Sequence, residues 1–442
     1  MSARAQSFGR DDGRLENHFE DKYPPLSPSE AAFEAARCLY CFDAPCIKSC
    51  PTAIDIPTFI RKIATGNLRG SARTILRSNL LGASCARVCP VEVLCESTCV
   101  YLEQDREPIP IGRLQRHAMD LGASPDLLTK REPTGRSVAL VGAGPASLAC
   151  AGTLALLGHR AVLFERESLA GGLNVSGVAP YKLRVDGALR EVEFIERLGV
   201  EIRTRTTVGK DVTAEQLLDD YDAVFLGPGL GGDSHLGIEG EDGPGVIGAT
   251  HWIRGMKTDP GHKLDGVRRA VVIGGGNTAI DVARELKALG IHTVSMAYRR
   301  RRGAMSAYDH EVKPGLDEGV ALIEEAAVAE IVRDHGRVTG VRVVDTDDGV
   351  PTDRTRAVFP TDLVVVAIGQ AKLRALAEQF DGVTCDDRGR IVVDPDTFAT
   401  GNPRVFAGGD AVNGGKEVVN AAHDGQAAAR AIDAMLRGEQ DA

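Results

Sequence analysis

Eight of the ten cysteines of this 442-residue chain fall within its first hundred residues, in two runs. Any fold of that stretch must accommodate them. The first run is Cys38-x2-Cys41-x4-Cys46-x3-Cys50-Pro51, and the second is Cys85-x3-Cys89-Pro90-x4-Cys95-x3-Cys99. Iron–sulfur clusters need thiolates that are close together and shielded from water. Short spacings supply two or three of them from one turn, and a cysteine before a proline can cross to a second cluster. Zinc favours paired Cys-x2-Cys knuckles, and one such pair is present, Cys38/Cys41. A disulfide scaffold is the third alternative. Cys150 and Cys385 stand alone and read as small buried hydrophobes.

Length suggests roughly three domains of about 150 residues each. Hydrophobic content of 43% and charged content of 26% are ordinary for a globular chain. A net charge of −10 argues against a nucleic-acid surface, because such binding rests on basic neutralisation of phosphates. Met1 to Arg14 is polar, with no apolar core of a signal peptide, and no apolar run approaches the ~20 residues of a membrane span. A reducing cytoplasm is therefore expected, where clustered cysteines read as metal ligands ahead of disulfides.

Residues 1–130 read as a small helical domain. Ser27-Pro28-Ser29-Glu30 is a helix start leading into Ala31–Arg37, and Ile56–Thr65 and Gly70–Ser78 carry helical apolar spacing. Ser124–Gly135 reads as a linker. Next, Ser137–Val141 is a short β-branched run, followed at once by Gly142-Ala143-Gly144-Pro145-Ala146-Ser147, a helix to Leu157 and a strand Arg160–Phe164 ending in Glu165. The pattern recurs about 130 residues on, with Ala270–Ile273, Gly274-Gly275-Gly276-Asn277-Thr278-Ala279, a helix to Leu289 and a strand Thr293–Tyr298. Val405-Phe406-Ala407-Gly408-Gly409-Asp410 and a helix at about Asn420–Leu436 close the chain. The fold class expected is α/β, with a helical iron–sulfur domain followed by two Rossmann-like dinucleotide domains, the second inserted in the first. The boundaries are 1–130, then 131–255 with 371–442, and 256–370.

Residues 38–120 resemble the N-terminal domain of dihydropyrimidine dehydrogenase. The resemblance rests on Cys38-Leu39-Tyr40-Cys41-Phe42-Asp43-Ala44-Pro45-Cys46, on Ser49-Cys50-Pro51-Thr52 and on Ile109-Pro110-Ile111-Gly112-Arg113-Leu114-Gln115. Counting alone assigns eight cysteines to two four-cysteine clusters. The resemblance implies otherwise. One [4Fe-4S] cluster would take Cys38, Cys41, Cys46 and Cys99. The other would take Cys50, Cys89, Cys95 and the side-chain oxygen of Gln115, leaving Cys85 free.

In the first glycine turn a pyrophosphate can approach the helix N-terminus, where free amides and the dipole favour an anion. Gly142 and Gly144 hold the first two glycine positions, and Ser147 replaces the third, which is expected to loosen the packing of helix on strand slightly. Glu165, 23 residues after Gly142, is placed for a ribose hydroxyl. Gly171-Gly172 and Gly409-Asp410 fit a flavin site and point to FAD. The resemblance adds Leu173, Lys182 and Val208 as FAD contacts.

The second turn carries Gly274, Gly276 and Ala279, and its following strand ends Tyr298-Arg299-Arg300-Arg301-Arg302 in place of an acidic residue. Arginines there accommodate a 2′-phosphate. The same word occurs in NADPH-using and NADH-using relatives, so the cofactor is NADH or NADPH. Asn277, Thr278, Arg299, Arg300 and the Ala367-Ile368-Gly369 turn match the family's nucleotide contacts.

Hydride transfer between nicotinamide and flavin is the cofactors' own chemistry, with the protein supplying position; no catalytic side chain is expected. The chain resembles the front half of dihydropyrimidine dehydrogenase and is too short to add a barrel of about 250 residues. The resemblance implies an electron-input subunit working with a separate FMN and iron–sulfur partner that reduces uracil or thymine. Rival readings are the glutamate synthase small subunit, which shares the layout, and a non-catalytic zinc-binding scaffold.

Overall fold

The computed structural model describes residues 12–438. Its first hundred or so residues form short helices whose starts are set by side-chain caps. Ser27 and Glu30 form a reciprocal capping box at helix Pro28–Arg37. Asp55 caps Ile56–Ala64 and Asn67 caps Leu68–Ser78 through the amides of Thr58 and Gly70. Each cap satisfies donors that a helix end leaves orphaned. The apolar faces of these helices meet helix Ile111–Gly122 in a core that includes Phe59, Ile60, Ile75, Leu76 and Leu114.

Two five-stranded parallel sheets follow. The first runs Val405–Ala407, Ala223–Leu226, Ser137–Val141, Arg160–Phe164, Glu201–Arg203. The second repeats that arrangement with Val246–Gly248, Leu363–Val366, Arg269–Ile273, Thr293–Ala297 and Ala321–Ile323. In each, the strand before the glycine turn is central, and the turn opens at its carboxyl end, where parallel sheets hold ligands. The chain leaves the first sheet after Leu226 and returns at Val405, so the second sheet lies within the first in chain order. Val246–Gly248 pairs with Leu363–Val366, so the second sheet begins upstream of the boundary expected at residue 256.

An antiparallel sheet of Ala326–Asp334, Arg337–Asp347 and Val350–Pro360 was not foreseen. Its two tight connections are His335-Gly336 and Asp348-Gly349, all four residues having positive φ, as two-residue hairpin turns demand. Its apolar face, including Val328, Ile331, Val341 and Val343, covers Val271, Ile273, Val364 and Val366 of the second parallel sheet. Among the described residues no helix is long and apolar enough to cross a membrane.

Candidate functional site

The cysteines sort into two cavities. One is lined by Cys38, Cys41, Cys46 and Cys99 and walled by apolar residues such as Ile56, Ile60 and Ile109. The other is lined by Cys50, Cys89, Cys95 and Gln115, with Cys85 also in its wall. Both are thiol-lined spaces, and among the described residues no three His, Cys, Asp or Glu side chains converge on a single-ion position. Zinc would draw its sulfurs to about 2.3 Å from one ion. Several thiols lining one cavity are also a set that a polynuclear cluster can use. Burial, with Cys38 and Cys99 close by, pushes the Cys46 thiol up to about 12, and burial raises Cys95 as well. Such thiols stay protonated when free, so loading metal here releases protons.

The second cavity offers five candidates for four positions. Cys85 is buried, and its sulfur accepts from Asn79 Nδ2 at 3.2 Å. Asn79 is itself fixed by the Leu81 amide at 2.9 Å. Gln115 is also buried and gives its Nε2 to Gly82 O at 2.8 Å, so its Oε1 is the end left for a ligand. The helix bearing Cys85 and Cys89, Gly82–Val88 and its C-terminal neighbour, is held from outside the domain. Glu191 accepts from the Ala83 and Ser84 amides at 3.0 and 3.1 Å and from Ser84 Oγ, which joins the cluster domain to the flavin domain. Cys85→Ser is expected to keep its full iron and sulfide content; loss of a whole cluster would make Cys85 a ligand and return the assignment to the simple cysteine count.

The first glycine turn opens into a cavity of about 610 Å3. Gly142, Gly144, Pro145, Ala146, Glu165, Gly172, Leu173, Lys182, Gly409 and Asp410 all line it. Gly142 has φ 85°, and a Cβ there would lie 2.6 Å from Gly227 O. Glu165 braces the turn, accepting from the Ala143 and Glu167 amides at 2.8 Å each. The Gly409 amide is anchored on Asp424 at 3.0 Å. Ser147 does not loosen the packing as expected. It is fully buried, its Oγ is 3.4 Å from Gly227 O, and Gly227, lacking a Cβ, leaves room for it.

Lys182 reaches across the cavity to Asp281 at 2.8 Å and Glu311 at 3.1 Å. Burial works against its ammonium, but the two carboxylates outweigh burial and hold its pKa above the ordinary lysine value. Val208 is not in the cavity wall. It packs in the apolar core with Phe164, Val224 and Phe380 and bridges to Val212. The Gly227-Pro228-Gly229-Leu230-Gly231-Gly232 loop, absent from the expected site, forms one wall. Its signal was present, a glycine-rich turn directly after the apolar run Ala223–Leu226. Asp281, Tyr308, Glu311 and Glu417 line the far end and carry no sequence signature.

Asn277 and Thr278 line the same cavity from the second domain, so the second turn faces the first. Gly274 repeats the relation of Gly142, since a Cβ on it would lie 2.3 Å from Ala367 O. That places the Ala367–Gly369 turn against the second fingerprint. Gly276 begins helix Asn277–Ala288, and Ala279 is buried against its strand. Arg299 and Arg300 are exposed beyond strand Thr293–Ala297, while their neighbour Arg301 pairs with Glu325 at 3.0 Å. Neither Arg299 nor Arg300 forms an ion pair among the described residues. Arg299→Ser and Arg300→Ser are each expected to raise KM for NADPH about tenfold relative to NADH; an unchanged ratio would show that neither holds a 2′-phosphate.

Residues 14–126 match the family described as dihydropyrimidine dehydrogenase domain II, 4Fe-4S cluster. Residues 136–425 match the pyridine nucleotide-disulphide oxidoreductases. The chain belongs to the pyridine nucleotide-disulphide oxidoreductase family. It is 35% identical to the glutamate synthase [NADPH] small chain of Escherichia coli K12, over 94% of this chain and 93% of that one. It is 34% identical to the NAD-dependent dihydropyrimidine dehydrogenase subunit PreT of the same organism, over 96% and 98%. Among solved structures, T. acidophilum thioredoxin reductase shares the fold, with a TM-score of 0.54 over 68% of this chain and 99% of that one, at 24% identity. This pyridine nucleotide-disulphide oxidoreductase is thus an NAD(P)-dependent flavin and iron–sulfur enzyme. The residues fit these groups. A glycine-lined cavity braced by Glu165 suits FAD, and two thiol-lined cavities suit [4Fe-4S] clusters.

Proposed function

We propose that this chain is the electron-input subunit of a two-subunit pyrimidine-reducing enzyme. It would accept electrons from NAD(P)H and deliver them to an FMN and iron–sulfur partner that reduces uracil or thymine. Bound FAD and clusters supply the conversion of a two-electron hydride into single electrons. This chain's residues supply the order of the sites. Cys89 lines both the flavin cavity and the second cysteine cavity. Ile56 lines both cysteine cavities. Leu39, which is 53% exposed, lines the first cavity, and Phe42, next to Cys41 in the chain, is 106% exposed. Apolar side chains at that position suit a protein partner covering the exit.

Identity does not choose between the pyrimidine and glutamate enzymes, at 34% and 35%. The observation that carries the pyrimidine reading is Gln115. Its neutral amide is buried in the second cysteine cavity, at the position where the resemblance to dihydropyrimidine dehydrogenase implies a glutamine ligand. The Asp43-Ala44-Pro45 word belongs to the same resemblance, and Ala44 and Pro45 stand in the wall of the first cavity. The test is anaerobic purification with the natural partner, then assay of NADH and NADPH oxidation with uracil. Uracil-dependent oxidation is the expected result. Copurification of a large glutamine-hydrolysing subunit overturns the reading in favour of glutamate synthase.

A further inference from the structure

A groove of about 230 Å3 lies away from all three cofactor cavities, at the seam between the cluster domain and the flavin domain. Its apolar floor includes Leu76 from the cluster domain and Leu156 from the helix after the first glycine turn. Above it stand three arginines, Arg73 and Arg77 from helix Leu68–Ser78 and Arg430 from helix Val418–Arg437. All three are exposed, and none forms a hydrogen bond or ion pair among the described residues. That is notable in a chain of net charge −10. Arg69, one turn earlier on the same helix, does pair, with Asp126 at 2.6 Å.

Arg73 and Arg77 are spaced i, i+4 on one helix face, where like charges repel. Among the described residues no carboxylate pairs with either. A fourth polar group faces the same groove. Gln426 lines the groove, is only 7% exposed, and makes no side-chain hydrogen bond among the described residues. Its amide is open to the groove, where a ligand atom can meet it. Guanidinium groups recognise carboxylates and phosphates through paired donors, while the leucines favour an apolar body.

We propose that this groove binds a small organic anion, a carboxylate or phosphate carried on an apolar body. Arg73, Arg77 and Arg430 hold the charged head, Gln426 hydrogen-bonds it, and the tail lies on the leucine floor. The occupant bridges both domains. Its helix, Val418–Arg437, begins at the flavin cavity with Val418 and touches the second cysteine cavity with Val419.

The test uses the anaerobic holoprotein and isothermal titration with octanoate, inorganic phosphate and 1-octanol. Octanoate is expected to bind saturably and at least about tenfold tighter than either control, since head and tail each contribute. The double variant Arg77→Gln/Arg430→Gln should weaken octanoate by at least about tenfold, with dye-linked NAD(P)H oxidation unchanged. Gln426→Leu should weaken it less. No saturable octanoate binding up to about 10 mM, a very weak affinity, overturns the proposal. So does equal affinity in the double variant, or phosphate binding as tightly as octanoate. If octanoate fails and the double variant instead loses the partner subunit, the arginines are a protein contact and the proposal is likewise overturned.

Discussion

Cys89→Ser is expected to lose about half of the protein's iron while keeping its flavin. A [4Fe-4S] cluster uses four protein ligands, and a serine oxygen is a poor replacement for a thiolate among them. Cys89 stands in the wall common to the flavin cavity and the second cysteine cavity, so the lost cluster is the one that first meets electrons leaving the flavin. Two readouts then separate. NAD(P)H still bleaches the flavin absorption, and an artificial dye that accepts directly from flavin is still reduced. Electron delivery to the partner falls by at least about a hundredfold, because the distance to the first cysteine cavity must be crossed without the intermediate site. Full iron content in this variant would remove Cys89 from the ligand set. Lost iron with undiminished delivery would place the exit elsewhere.

Some of this site could be read before any coordinates. The strands Ser137–Val141 and Arg160–Phe164 were legible because β-branched runs end abruptly in a glycine turn or an acidic residue, and the structure has the same bounds. The grouping of the cysteines was not legible from spacing. Run order pairs each cysteine with its neighbours in sequence, whereas the cavities join Cys99 to the first run and Cys50 to the second. The Cys50-Pro51 step pointed to the crossing of Cys50, whereas the place of Cys99 beside the first run came only from the family resemblance. Val246–Gly248 escaped notice for a different reason. It is three residues long, and its stability comes from pairing with Leu363–Val366 more than a hundred residues later. The antiparallel sheet was missed although its Asp348-Gly349 turn and alternating valines were in view. The ion network of Lys182, Asp281 and Glu311 had no local signal, since charged residues on helix faces are ordinarily solvated; the fold turned these into a shared cavity wall.

Gly144→Ala is expected to lower FAD affinity at least about tenfold without unfolding the chain, and the comparison with Gly142→Ala shows why. Gly142 has φ 85°, and its added Cβ would meet Gly227 O at 2.6 Å and Pro228 Cα at 3.0 Å. Both strain and clash fall on the protein itself, so flavin loss there could reflect a distorted turn. Gly144 has φ −81°, open to any residue. Its nearest heavy atom to an added Cβ is Gly172 Cα at 3.9 Å, an ordinary contact. The protein alone therefore accepts alanine at Gly144. What it obstructs is the approach of a pyrophosphate to the amides at the start of helix Pro145–Leu156. Purified Gly144→Ala protein should retain its iron and its melting temperature without flavin, yet show little of the wild-type flavin absorbance per chain. Normal flavin content would mean that the pyrophosphate does not lie over this turn, and the large cavity would need another occupant.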